Sequence, residues 1–167
     1  NRRELKDVSK MTDKDYTPGG MTALLDAVGR TIHKMDMVSG IHRKDKGNKV
    51  LFVIITDGEE NDSREYTYAD VKKLIKDRQE NAGWEFIFLG ANIDAAAAAE
   101  NLGIDRDRAV KYKNTGSGVR ANFKAVAELS DSLAKSGRVS DEWKETVEKD
   151  EDDAADKQSA AVTLHRR

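Results

Sequence analysis

Apolar positions along the chain follow two spacings, one typical of helices and one typical of buried strands. Recurrence every three or four residues predicts amphipathic helices over residues 22–37, 68–80 and 119–133. Continuous β-branched and aromatic runs predict strands over 50–55 and 84–89, with a shorter strand over 109–113. Strands that alternate with helices in this way predict an α/β fold, with an open, mostly parallel sheet and helices on both faces.

The helix ends carry signals of their own. Thr67 and Asp70 have the spacing of a capping box at the start of the second helix. Asp94 is placed to cap a short alanine-rich helix that Gly103 ends. On the last helix we expect one apolar stripe to face the core, formed by Val119, Phe123, Val126, Leu129 and Leu133.

Composition then limits the functions that this fold could serve. The 167 residues include 29 basic and 31 acidic side chains, so a net charge of -2 gives no support for binding nucleic acid or an anionic membrane. The absence of cysteine is compatible with the cytoplasm and excludes thiolate metal sites. Residues 1–136 are predicted to form the folded domain, whereas the acidic stretch 137–167, with few large apolar side chains, predicts a disordered tail.

The loop after the strongest strand carries the candidate chemistry. Asp57 comes directly after the buried run, and Gly58 permits a tight turn. Further oxygen donors follow at Glu59, Glu60, Asn61 and Asp62. Such ligands suit a divalent cation at the carboxyl edge of a parallel sheet. The alternative is that Asp57 caps a turn and the other acidic residues are ordinary loop solvation.

A second motif favours the metal interpretation. The stretch Tyr16-Thr17-Pro18-Gly19-Gly20-Met21-Thr22, together with the strand end Ile54-Ile55-Thr56-Asp57-Gly58, resembles the von Willebrand factor A (VWA) family. The segment 86–94 is most similar to stand-alone bacterial members. The resemblance covers residues 5–133 and implies a Rossmann-like VWA fold. It also implies that Thr22 and Asp57 belong to a metal-ion-dependent adhesion site that holds Mg²⁺, with Mn²⁺ or Ca²⁺ as alternatives.

One part of the family pattern is missing. The first, central strand of VWA domains ends in an Asp-x-Ser-x-Ser motif that supplies three metal oxygens, and Asp7-Val8-Ser9-Lys10-Met11 matches only half of it. We therefore expect a truncated chain without this strand, in which the run 50–55 is a bare apolar edge. Mg²⁺ binding is expected to be weak or absent, and a form extended upstream by the missing strand is expected to bind the ion.

These observations predict a protein-interaction module rather than an enzyme. A bound cation would leave one coordination position for a carboxylate of a protein partner, and the resemblance to bacterial members implies a cytoplasmic partner such as an ATPase. One alternative is a metal-assisted hydrolase, for instance a phosphatase that uses Asp57 with Glu59 or Glu60, although neither motif has a candidate histidine, cysteine or lysine beside it. The other alternative is an inactive fragment of a VWA protein.

Other patterns indicate less. The stretch 116–121 fits a dinucleotide-binding fingerprint, but no later strand ends in an acidic residue for the ribose, and helix entry explains its glycines. Asp26, inside the first helix, is interpreted as compensating the helix dipole rather than binding metal. Lys111 and Lys113 are basic but isolated, which gives no support for nucleic-acid binding. The histidines form no cluster and are interpreted as surface residues: His33, His42 and His165.

Overall fold

The structure is a computed structural model of the chain, and it describes residues 5–7, 9, 12, 14–15, 20–37 and 49–149. Within these ranges, helices and strands alternate in the order that the sequence predicts. Numbered along the chain, they are α1 (Leu24–Asp36), β1 (Leu51–Thr56), α2 (Tyr68–Asp77), β2 (Glu85–Ala91), α3 (Ala95–Asn101), β3 (Ala109–Tyr112), α4 (Gly116–Ser136) and α5 (residues 143–149). Short turns of 3-10 helix lie at Leu5–Asp7 and Arg106–Arg108, and a π-helical turn over Arg78–Ala82 extends α2.

The predicted helix caps are present. Thr67 Oγ1 accepts a hydrogen bond from the Asp70 N–H at 3.2 Å, and the Asp70 carboxylate accepts one from the Thr67 N–H at 2.9 Å. Asp94 Oδ1 accepts a hydrogen bond from the Ala97 N–H at 3.0 Å, and Gly103, with a φ of +82°, terminates the turn after α3. Short-range hydrogen bonds therefore place both helix starts where the sequence predicts them.

The strands form one parallel sheet in the order β1-β2-β3. The register places Ile54 of β1 opposite Phe88 of β2, and Leu89 of β2 opposite Val110 of β3. Each pair of neighbouring strands is joined through a helix, α2 or α3, as parallel pairing requires. The predicted α/β class with an open parallel sheet is confirmed.

Helices cover both faces of this sheet, because successive residues of a strand point to opposite sides. On one face, α1, α2 and α3 pack with Ile54, Phe86 and Phe88. On the other face, α4 and α5 pack with Ile87, Leu89 and Val110. The hydrophobic core therefore consists of two clusters with the sheet between them.

The buried face of α4 differs from the prediction. Val119 and Phe123, expected in the core, are 38% and 65% exposed. Leu129 and Leu133 are buried as predicted, and Val126 packs partly buried against the same cluster. Nearer the start of the helix, the buried residues are Gly118, Asn122 and Ala125. The cause lies in the first helical turn, where a Cβ at Gly118 would be only 2.0 Å from the Lys113 carbonyl oxygen. Because only glycine permits this approach, Gly118 faces the sheet, and the residues in line with it along the helix face the sheet as well.

Residues 139–149 fold back onto the sheet, which differs from the expectation of a solvated segment after residue 137. Gly137, with a φ of +75°, ends α4. Val139, Trp143 and Val147 then follow at four-residue spacing, and all three are buried in the cluster under α4. The low apolar content of this stretch led to the prediction of a solvated segment. Three apolar side chains at four-residue spacing are nevertheless enough to form one buried helical face. Residues 150–167, the rest of the predicted tail, lie outside the described residues.

The strand β1 lies at an edge of the sheet, and in the described part of the chain it pairs only with β2. Its side chains are almost all apolar, yet Ile55 is 46% exposed. A cavity of about 420 Å³ lies between β1 and the α1 residues Ala27, Thr31 and Met35. Apolar edge strands of this kind are surfaces on which a further strand can pair.

Candidate metal site at the carboxyl edge of the sheet

The start of α1 is held by the loop after β1 rather than by a cap of its own. Ala23 occupies the N-cap position and offers no side-chain acceptor. The Thr22 N–H donates to Asn61 Oδ1 at 2.7 Å, and the Thr22 carbonyl oxygen accepts hydrogen bonds from the Asn61 and Asp62 N–H groups at 3.0 and 3.3 Å. These hydrogen bonds fix the backbone of Thr22 against the loop.

Glu60 supplies the missing cap from 35 residues away. Its Oε2 accepts hydrogen bonds from the Leu25 N–H at 2.9 Å and the Ser63 hydroxyl at 2.7 Å, and its Oε1 accepts from the Asp62 and Ser63 N–H groups at 3.0 and 2.7 Å. Burial opposes ionisation of Glu60, but the hydrogen bonds from Leu25 and Ser63 outweigh it and lower the pKa of the carboxyl. Glu60 is therefore a structural carboxylate, with both oxygens engaged.

Asp26 forms a second clamp between α1 and the same loop. Its Oδ2 accepts a hydrogen bond from the Arg64 N–H at 3.0 Å, and its Oδ1 accepts from the Glu65 and Tyr66 N–H groups at 2.9 and 3.0 Å. These bonds, that of Arg64 foremost, lower the pKa of Asp26, which is buried. Asp26 lies in the first turn of α1, as its interpretation as a dipole-compensating residue requires, and it has a further role that the sequence did not predict, since it joins α1 to residues 64–66.

The loop that these two clamps hold also places Thr22 beside Gly58, the residue after Asp57. A Cβ at Gly58 would lie 3.4 Å from Thr22 Oγ1, so the Thr22 hydroxyl lies against the turn that begins at Asp57. Thr56 Oγ1 closes this turn by donating to the Gly58 carbonyl oxygen at 2.8 Å. The pair thus lies at the carboxyl end of β1, the edge at which α/β sheets commonly bind ligands.

The side-chain oxygens of Thr22 and Asp57 are uncommitted. Neither makes a hydrogen bond or an ion pair with another residue in the described part of the chain, and Asp57 is exposed. Asp62, by contrast, lies 3.3 Å from Arg64 Nη2. A carboxylate and a hydroxyl are oxygen ligands of the kind that Mg²⁺ prefers. Across the described ranges, no group of three or more His, Cys, Asp or Glu side chains could hold a metal ion.

Tyr112, the last residue of β3, lies within electrostatic reach of Asp57. Burial and the negative charge of Asp57 raise the pKa of the Tyr112 phenol. The strand register places the two residues at the same level, two strands apart, which is about 10 Å at ordinary strand spacing. The phenol therefore stays neutral near the candidate site.

A groove of about 1120 Å³ opens along the carboxyl ends of β2 and β3. One wall is formed by residues 92–96 after β2, and the other by residues of β3 and by residues 113–115 after it, with Glu59 contributed by the loop after β1. Lys111 is exposed there and forms no ion pair with any residue in the ranges that the structure describes. The sequence predicted the strand ends but not the groove, which depends on where the two loops go.

The remaining sequence candidates are not part of this site. The glycines of 116–121 serve helix entry and packing, since Thr115 Oγ1 caps α4 by accepting from the Gly118 N–H at 3.1 Å. His33 is exposed on α1, with its ring 5.9 Å from that of Tyr66. Asp7 is exposed in a 3-10 turn and does not end a strand. His42 and His165 lie outside the described residues.

The residues that organise the site were missed from sequence. The sequence indicated Glu60 and Asn61 only as possible oxygen ligands of a cation, Asp26 only as part of its helix, and Ser63 not at all. One signal was available: Ala23 at the start of a clear amphipathic helix leaves the first N–H groups without a local acceptor. The acceptors could not be identified, because they lie 35 to 39 positions away in the chain.

Comparison of the chain with protein-family models, curated proteins and solved structures finds no match. None of the helices in the described ranges has the length and apolar character needed to cross a membrane. The evidence for a functional site therefore comes from the positions of Thr22 and of the loop after β1.

Proposed function

We propose that the protein is a VWA-type interaction module that binds a carboxylate of a protein partner through Mg²⁺ at Thr22 and Asp57, with Mn²⁺ and Ca²⁺ as alternative ions. A bound cation supplies positive charge and a coordination position that an aspartate or glutamate of the partner can fill. The resemblance to stand-alone bacterial members favours a cytoplasmic partner, such as an ATPase, by analogy alone.

The observation that supports the proposal is the position of the Thr22 hydroxyl against the turn at Gly58, directly after Asp57 at the carboxyl end of β1. Both carboxylate oxygens of the nearby Glu60 already accept hydrogen bonds from backbone N–H groups and from the Ser63 hydroxyl. We therefore assign the ion to Asp57 because its carboxylate is available, and not merely because the loop is acidic. Asp26 and Glu60 fix the loop on α1, so the ligand positions are set before an ion binds.

Two protein oxygens are few for Mg²⁺, which requires near-octahedral coordination and usually keeps several waters. We propose that further oxygen ligands come from a strand paired with β1, where the VWA resemblance places the Asp-x-Ser-x-Ser motif. The exposed Ile55 and the cavity between α1 and β1 support this, because they leave apolar surface and space along that edge. With two protein oxygens from the described residues, the affinity for Mg²⁺ is expected to be weak.

Calorimetric titration with MgCl₂ tests the site. The unaltered protein is compared with Asp57→Asn and with Asp107→Asn, a control that removes the same charge from an exposed position before β3. The unaltered protein and the control are expected to give the same weak, saturable heat, and Asp57→Asn none. Equal heats from all three proteins would contradict the proposal.

A metal-assisted hydrolase is the alternative function, and it needs a general base beside the ion. Glu60 is engaged, and His33 lies nine residues after Leu24, about 13 Å along α1 from its start. We therefore expect no metal-dependent hydrolysis of p-nitrophenyl phosphate in Mg²⁺ or Mn²⁺. Turnover that Asp57→Asn abolishes would favour the hydrolase over the interaction module.

A further inference from the structure

The outer side of α4 carries apolar side chains that the fold leaves partly uncovered. Because Gly118 fixes which side of α4 faces the sheet, the apolar residues Val119 and Phe123 are exposed, and Val126 is only half-buried. Ile55 of β1 is exposed on the same face of the sheet, since it pairs with Leu89 in the register of the strands. Apolar side chains that cluster in this way on one surface are typical of an interaction site.

The shape of this surface is self-complementary. Phe123 is followed on the same side of α4 by two small exposed residues, Ala127 at i+4 and Ser130 at i+7. The Ser130 hydroxyl donates to the Val126 carbonyl oxygen at 2.8 Å, so contact with another protein would leave no unpaired donor there. A large side chain next to a shallow surface of small ones suits a second copy of the same helix, because each ring can pack on the small residues of the other.

The charges beside this surface are arranged in a definite order along α4. Arg120 and Asp131 are eleven positions apart, about three helical turns, so they lie on the same side of the helix. Both are exposed, and Arg120 forms no ion pair with any residue in the described ranges, whereas Asp131 accepts a hydrogen bond from Lys135 Nζ at 2.6 Å. Lys124 and Glu128 repeat the order of a basic residue followed by an acidic one.

This order of charges favours an antiparallel pair of α4 helices. In such a pair, Arg120 of each copy lies opposite Asp131 of the other when the two-fold axis passes between residues 125 and 126. The same register places Phe123 level with residue 128 of the second copy, which lies between the small residues Ala127 and Ser130. A parallel pair would instead place Arg120 against Arg120 and Asp131 against Asp131, and like charges repel.

We propose that two copies of this chain associate through α4 in antiparallel orientation. Phe123 of each copy packs against Ala127 and Ser130 of the other, and Arg120 pairs with Asp131 across the interface. The contact is isologous, as in most symmetric dimers. It involves one helix from each copy, so the dimer is weak, with a Kd of roughly 100 µM. It does not depend on the metal site at Asp57.

Sedimentation equilibrium of the whole chain, at concentrations from about 10 µM to about 1 mM around this Kd, tests the proposal. The unaltered protein is compared with Phe123→Ser, with Arg120→Asp, and with a double variant that carries Arg120→Asp and Asp131→Arg. Lys34→Glu is the control, since it reverses a charge at an exposed position on α1. Circular dichroism during heating checks that each variant is folded, and all the substituted positions are exposed.

Phe123→Ser is expected to raise the Kd by more than about tenfold, because it removes the central side chain of the contact. Arg120→Asp should raise the Kd by about fivefold, and the double variant should restore it, because the exchanged charges again lie opposite each other. Lys34→Glu should leave the Kd unchanged.

Three results would overturn the proposal. A monomer at every concentration would show that a different protein, if any, covers this surface. A dimer that Phe123→Ser leaves unchanged would point to another contact, such as the edge of β1. A dimer that the double variant weakens as much as Arg120→Asp does would contradict the antiparallel pairing of Arg120 with Asp131.

Discussion

Asp26 Oδ2 accepts a hydrogen bond at 3.0 Å from the backbone N–H of Arg64, which lies 38 positions later in the chain. Its Oδ1 accepts from the N–H groups of Glu65 and Tyr66, so a single carboxylate satisfies three donors of a segment without helix or strand. With Glu60 at the start of α1, this contact makes the loop between β1 and α2 part of the folded core. The position of Asp57 depends on it.

Replacement of Asp26 by asparagine should weaken the fold in a pH-dependent way. The pKa values of Asp26 and Glu60 are lowered from their ordinary values of 3.8 and 4.5, so the unfolded state binds more protons than the folded state in acid. Their stabilisation is complete above about pH 5 and is lost as the pH falls through the lowered pKa values. Asp26→Asn puts an N–H₂ group opposite a backbone donor and should lower the Tm at pH 7 by roughly 5 °C or more.

Thermal unfolding followed by circular dichroism between pH 7 and pH 3 checks this expectation. The Tm difference between the unaltered protein and Asp26→Asn should narrow toward pH 3, because the unfolded state takes up a proton on Asp26 near the ordinary pKa of 3.8, before the folded state does. The exposed Asp107→Asn variant serves as the charge control. A difference that stays constant across this range would show that the charge of Asp26 does not carry its contribution.

Alanine substitutions at Gly118 and Gly116 form a test and a matched control for the packing of α4. A Cβ at Gly118 would lie 2.0 Å from the Lys113 carbonyl oxygen, whereas one at Gly116 would lie 3.5 Å from Arg120 Nη1, an ordinary contact. Gly118→Ala should therefore destabilise the protein by about 2 kcal/mol or more, since backbone must move. Gly116→Ala should change the free energy of unfolding by less than about 0.5 kcal/mol, as measured in urea.

The packing of α5 is tested through Trp143. Its side chain is almost fully buried, so Trp143→Ala should lower the free energy of unfolding by about 3–5 kcal/mol. Phe123→Ala, at a position that is 65% exposed on the neighbouring helix, should cost less than about 1 kcal/mol. Similar losses for both variants in urea-induced unfolding would mean that residues 139–149 do not pack as described.

Much of the fold could be predicted from sequence because its signals are local. The capping box of Thr67 and Asp70 acts over three residues, and the apolar run of β1 marks its strand by composition alone. The rotation of α4 could not be predicted, since it depends on the contact between Gly118 and the Lys113 carbonyl rather than on the most apolar stripe. Trp143 was missed because the average composition around it resembles that of a solvated chain.

The candidate site could be predicted only in part, because some of its contacts join residues that are far apart in the sequence. Thr22 and Asp57 stand in recognisable motifs, but the hydrogen bonds that bring them together join residues 35 to 40 positions apart. The sequence also suggested Glu60 as a metal ligand in the hydrolase alternative, whereas its four hydrogen bonds make it structural. Acidic residues in a loop acquire different roles only through the donors that the fold places around them.

The most direct test of the central claim is the position at which the protein holds a paramagnetic cation. MnCl₂, added in small amounts to the protein while its backbone amide NMR signals are recorded, broadens the signals nearest to the bound ion even when binding is weak. We expect the signals of Thr22, Gly58 and Glu59 to broaden first, equally in the Asp107→Asn control, and to stay sharp in Asp57→Asn. Broadening that is strongest elsewhere, or that persists unchanged in Asp57→Asn, would contradict the assignment of the metal site to Thr22 and Asp57.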